Sequence, residues 1–107
     1  MKRVGLRIAL AEAVDDALWN SGYSLTLDNA KNKVSHHLLR AYRIRVTTPI
    51  YDDDWLVALH LAKADRRERR NPYFDGRKSS RHDRMLALAK TVSDARMIRP
   101  LAVTHPS

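Results

Sequence analysis

From Trp55 to Ala62 the chain is apolar on nearly every side of a helical wheel, through Trp55, Leu56, Val57, Ala58, Leu59, Leu61 and Ala62. A helix without a polar face must be covered by other elements. The segment therefore predicts the spine of a core. Asp52, Asp53 and Asp54 precede it, and Arg66, Arg67, Arg69 and Arg70 follow. A helix that opens acidic and closes basic matches its macrodipole, worth about 0.3–1 kcal/mol per exposed charge. The stripe Trp55, Leu59, Ala62 continues into Arg66, Arg69 and Arg70, so the last turns must leave the core. Only Asp65 and Glu68 lie among these arginines, and the cluster exceeds what the dipole requires. The helix starts either at Thr48-Pro49, with Thr48 as cap, or at Asp52, and it reaches about Arg70.

Three further helices are expected around this spine. Leu6, Leu10, Ala13, Val14, Ala17 and Leu18 recur at helical spacing up to a stop at Asn20-Ser21-Gly22. Val4, Leu6 and Ile8 also alternate as a strand would, which leaves the first eight residues open to either reading. A second helix opens at Asp28 as N-cap and runs to about Tyr42, with Ala30, Val34, Leu38 and Ala41 as its apolar stripe. Opposite that stripe, Lys33, His36, Arg40 and Arg43 fall within a wedge of about 80° and form a cationic ridge. A last helix starts at Arg81 after a Ser80 N-cap, buries Met85, Leu88, Ala89 and Val92, and ends near Arg99 before Pro100. The fold expected is all-α, a compact bundle of about four helices. Residues 24–27 and 44–47 form an optional pair of short strands. Residues 1–99 make a single helical domain and 100–107 a loose tail.

The size fits that reading, since 107 residues with 44% hydrophobic content fill one modest core. The absence of cysteine excludes disulfides, thiolate metal sites and a cysteine nucleophile, and it favours a reducing compartment. The apolar run near the N-terminus is broken by Arg7, Glu12, Asp15 and Asp16, so neither a signal peptide nor a spanning helix is expected. A cytoplasmic location without membrane association follows as an expectation.

No catalytic constellation is legible. The three glycines form no phosphate loop, and no nucleophile elbow or helical histidine pair at metal-binding spacing occurs. Adjacent helical residues such as His36-His37 and His82-Asp83 point in different directions, and Asp52 to Asp54 read as an ordinary acidic helix start. The expectation is a non-enzymatic protein with no cofactor and no metal site.

The charge pattern carries the functional signal. The net charge of +8 is concentrated in two blocks, residues 31–45 and 63–84, each at +5. Arginine outnumbers lysine by 14 to 6, and a planar guanidinium suits phosphate recognition and stacking on rings. The same bias follows from a genome rich in G and C. The stretch from Lys63 to Arg84 holds nine cations, four acids and the aromatic pair Tyr73-Phe74. Such density attracts phosphate backbones, and aromatics among arginines stack on unpaired bases. Against this stands the reading in which Tyr73 and Phe74 latch onto the core and the arginines are merely solvated. The nucleic-acid contacts expected are Arg66, Arg67, Arg69, Arg70, Tyr73, Phe74, Arg77, Lys78 and Arg81, with Lys33, Arg40 and Arg43 as a second patch. No helix-turn-helix is discernible, so backbone contact is favoured over base readout. The expected partner is DNA or RNA backbone, within a larger nucleoprotein assembly or a homodimer. The competing expectation is a protein-binding adaptor or inhibitor that docks through its acidic and basic patches.

Overall fold

The computed structural model describes residues 3–98, with side chains through residue 91. Five α-helices occur in this order: α1, Arg3–Val14; α2, Leu27–Lys33; α3, His36–Ala41; α4, Asp52–Arg69; and α5, Arg81–Ile98. The all-α expectation holds. Residues 24–27 and 44–47 do not pair as strands, and no strand forms among the described residues. The tail 100–107 lies outside them, as does the expected helix end at Arg99. No described helix is long and apolar enough to cross a membrane.

The spine is α4, packed against α1, α2 and α5. Trp55, Val57, Ala58, Leu59, Leu61 and Ala62 are buried, but Leu56 is half-exposed. The helix therefore keeps one outward line, Leu56, His60, Lys63 and Arg67, instead of being covered all round. It begins at Asp52, where the Asp54 carboxylate accepts a hydrogen bond from the Tyr51 N–H at 2.9 Å. The alternative start at Thr48-Pro49 is not used. Alternation in Val4, Leu6 and Ile8 does not produce a strand, because Leu6, Leu10, Ala13 and Val14 bury one helical stripe against α4.

The ion pairs give the direction of each helix. Arg3 and Arg7 reach Asp54 at the start of α4, and Asp15 meets Arg69 at its end, so α1 and α4 run parallel. Arg81 and Arg84, in the first turn of α5, meet Asp15 and Asp65, so α5 starts where α1 and α4 finish and runs back antiparallel to both. Lys31 near the end of α2 bridges to Asp52 at 3.0 Å, which sets α2 antiparallel to α4.

Where one helix was expected from Asp28 to Tyr42, there are two. Thr26, not Asp28, caps α2, its hydroxyl accepting from Asn29 N–H at 3.2 Å. At Val34 the backbone turns extended, and the Ser35 hydroxyl accepts from Leu38 N–H at 3.1 Å and starts α3. A serine side chain that satisfies a free helix N–H competes directly with continuation of the preceding helix. The break also shifts the buried stripe. Ala30, Val34, Leu39 and Ile44 are buried, while Leu38 is half-buried and Ala41 exposed.

Helix α1 continues as a π-helical turn, Asp15–Trp19, closed by Gly22 at φ 75°, where the N–H of Tyr23 donates to the Leu18 carbonyl. Glycine adopts this left-handed conformation without steric cost. In the wider winding of a π turn, neighbouring residues diverge less than in an α-helix. Asp15 and Asp16 both reach Arg81 Nη1, at 2.9 and 2.6 Å.

Three carboxylates lie in the interior: Asp15, Asp54 and Asp65, each at most 3% exposed. Each has two guanidinium partners: Arg69 and Arg81 for Asp15, Arg3 and Arg7 for Asp54, and Arg69 and Arg84 for Asp65. Burial raises the pKa of Asp54, but the hydrogen bonds from Tyr51 N–H and Arg7, with the charges of Arg3 and Arg7, outweigh it and leave the carboxyl below its ordinary 3.8. A carboxyl depressed in the folded state contributes stability above its unfolded pKa and loses it as pH falls through the folded one. Asp54→Asn is therefore expected to cost on the order of 3 kcal/mol at neutral pH, the scale for breaking a buried pair. Its unfolding free energy should also fall less steeply than wild type below about pH 4. Denaturant unfolding across an acid pH series measures both; equal acid slopes would contradict the assignment.

Candidate nucleic-acid interface

The basic cluster at the end of α4 divides into two kinds of arginine. Arg69 faces inward, with Nη2 donating to Asp15 at 2.8 Å and Nε in electrostatic contact with Asp65 at 3.1 Å, without hydrogen-bond alignment. Arg81 is held by Asp15, Asp16, Glu12 and the Tyr42 hydroxyl. Hydrogen bonding to Asp16 above all, then to Asp15, outweighs burial and raises its pKa further above the ordinary arginine value. Both residues were expected at the surface patch, and both are engaged in tying helices together.

The other arginines of the cluster are differently placed. Lys63, Arg66, Arg67 and Arg70 line one recess of about 380 Å³, closed on its far side by Ser24 and Leu25 ahead of α2. None of these four cations has an ion pair among the described residues. Arg66 stacks on Trp19 with its guanidinium carbon 3.8 Å from a ring centroid, and Arg70 lies at 5.8 Å from the same side chain. Stacking on an aromatic face orients the guanidinium plane and leaves its edge N–H groups for acceptors. The Nε of Arg66 is buried and has no hydrogen-bond partner.

Of the expected second patch, Lys33 sits 4.6 Å over the Tyr23 ring and does not line this recess. Arg40 and Arg43 lie elsewhere, with Arg45, Ile44, Val46 and Thr47 around another recess. The ridge expected along one helical face does not form, because the chain breaks at Val34-Ser35 and Arg43 falls beyond the end of α3. There Arg43 adopts φ 63°. Its N–H donates to the Arg40 carbonyl at 2.8 Å, and the Ile44 N–H donates to that of Leu39 at 2.9 Å, a Schellman closure with arginine in the place glycine normally takes.

The loop after α4 separates the aromatic pair. Phe74 is partly buried with Arg84 5.0 Å over its ring, whereas Tyr73 is 91% exposed. Arg77 is 95% exposed and only 3.6 Å from Asp75, and Lys78 is exposed. Asp75-Gly76 form the expected turn, with Arg77 N–H donating to the Asp75 carboxylate at 3.0 Å. Thus Phe74 is covered by Arg84 and its own loop instead of latching onto the core, while Tyr73, Arg77 and Lys78 are exposed. Sequence reasoning did not single out Trp19, Tyr23 or Arg45; for Trp19 the signal was a large ring in the last turn before a helix stop, brought into contact with the basic cluster only by folding.

Comparison with protein-family models, with curated proteins and with solved structures finds no match to this chain.

Two substitutions test the division between structural and available arginines. Arg69→Ala leaves Asp15 and Asp65 short of a partner and is expected to cost about 3 kcal/mol, visible as a fall in Tm of about 10 °C or more. Arg67→Ala should leave Tm within about 2 °C, as surface substitutions do. Arg43→Gly relieves a left-handed non-glycine residue and should raise stability by about 0.5–1 kcal/mol. Thermal unfolding followed by circular dichroism reads all three.

Proposed function

We propose that the protein binds nucleic-acid backbone as a non-enzymatic accessory or regulatory factor, and that the recess at the end of α4 is its principal contact. The observation that carries this reading is the convergence of Lys63, Arg66, Arg67 and Arg70 on one recess with no carboxylate among them. Four uncompensated charges in so small a space repel one another, and a polyanion relieves that repulsion while releasing its own counterions. The stacked Arg66 supplies a preset donor edge. Backbone contacts of this kind position a partner without reading its sequence, which accords with a surface built from cations and not from base-reading amides.

Docking to a protein through paired acidic and basic patches has less behind it. The acidic start of α4 is already partly compensated, with Asp52 bridged to Lys31 and Asp54 buried between Arg3 and Arg7.

Binding to random-sequence oligonucleotides, single- and double-stranded, should weaken steeply between about 50 and 200 mM salt. Replacing Lys63, Arg67 and Arg70 together by Ala is expected to reduce the slope of log K against log salt by about 3 on duplex DNA, at about 0.9 per lost phosphate contact. Fluorescence anisotropy with a labelled oligonucleotide measures this. A wild-type protein with no salt-dependent binding, or a variant with an unchanged slope, rejects the proposal.

A further inference from the structure

We infer that one chain holds two separate nucleic-acid segments at once, the second through the recess around Arg43 and Arg45, and so bridges them. The inference rests on the function proposed above and adds a second binding surface to it.

The second surface consists of two adjoining recesses. One, of about 600 Å³, is bounded by Arg3, Arg43, Arg45, Thr48 and Pro49; the other, of about 380 Å³, by Arg40, Arg43, Arg45, Val46 and Thr47. Arg43 and Arg45 line both. Arg40, Arg43 and Arg45 have no ion pair among the described residues. Arg3 is fixed, donating to the Pro49 carbonyl at 2.9 Å and to Asp54 at 3.1 Å, so it forms a rigid wall. Where glycine would sit without strain, the chain carries Arg43, whose side chain serves both recesses.

The placement of the two surfaces excludes a single continuous groove. The second surface is anchored by Arg3 to Asp54, in the first turn of α4, whereas the first lines the last two turns of the same helix. Asp54 and Arg66 are separated by about 18 Å along the axis at 1.5 Å per residue, and Lys63, Arg66, Arg67 and Arg70 point about 120–180° away from Asp54 around it. The two cationic surfaces therefore lie at opposite ends and on opposite sides of the spine. Their spacing exceeds the Debye length of about 8 Å at physiological ionic strength, so a polyanion at one end barely opposes a second at the other.

The test uses two short duplexes of unrelated sequence, one biotinylated and held on beads, the other fluorescent and free. Wild-type protein should retain the fluorescent duplex on the beads in low salt, and omission of protein should abolish retention. Two variants, Lys63→Ala/Arg67→Ala/Arg70→Ala and Arg40→Ala/Arg43→Gly/Arg45→Ala, should each still bind a single duplex by anisotropy, but retention should fall at least tenfold. Unchanged circular dichroism spectra guard against misfolding as the cause. Single-duplex binding by wild type without retention overturns bridging and leaves the proposed function standing, whereas no binding to any duplex overturns both. Retention by the Arg40/Arg43/Arg45 variant equal to wild type, as self-association through the first recess would give, also overturns the inference. So does binding of polyglutamate, but not of duplex, that depends on those three residues.

Discussion

Three carboxylates buried against five arginines hold the helices in register, and the rest of the molecule depends on that exchange of charge. An isolated ionised carboxylate in the interior costs several kcal/mol, which only close and well-oriented counter-charges offset. Asp54 ties the start of α4 to the start of α1, Asp15 and Arg69 tie their ends, and Asp65 with Arg84 locks α5 across both. Apolar packing sets a register through interlocking side chains, and paired charges add a directional constraint to it. A buried charge loses its partner when the helices slide, and the ion pairs therefore help to specify which faces meet and in which direction.

That lattice also decides which cations are available. Arg69 and Arg81 are consumed inside it, although Arg69 stands in the same run of arginines as Arg66, Arg67 and Arg70. The π-helical turn after α1 is the local device that makes this possible, since it brings Asp15 and Asp16 to one guanidinium and presents Trp19 to Arg66 and Arg69. The positive charge is sorted into an internal fraction that stabilises and an external fraction, much of it at the two ends of α4, where Lys63, Arg66, Arg67, Arg70, Arg40, Arg43 and Arg45 have no ion pair among the described residues.

The external fraction is where function is to be sought. Its members combine uncompensated charge, confinement in small recesses and support from rigid neighbours: Trp19 under Arg66, Tyr23 under Lys33, and a strained backbone under Arg43. Confined like charges raise the local potential and favour association with polyanions. Their position at the two ends of α4, instead of along one face, keeps the two cationic patches apart.

The all-α class, the buried side of Trp55 to Ala62, the stop at Gly22, the Ser80 cap and the Asp75-Gly76 turn were legible in the chain, because apolar period and local hydrogen bonding act over a few residues. The number of helices was not, since the expected Asp28–Tyr42 helix is two. The break at Val34-Ser35 was present too, but a serine in a helical pattern either caps or is tolerated, and only the packing of Leu39 and Ile44 decides between these. The blocks of positive charge could be counted from the sequence alone. Which of those charges remain free could not, since pairing links Arg69 to Asp15 across 54 positions and Arg81 to Asp16 across 65. Charge is a property of the residue; whether it is spent is a property of the fold, because at contact distance in a dry interior a partner remote in sequence outweighs every neighbour along the chain.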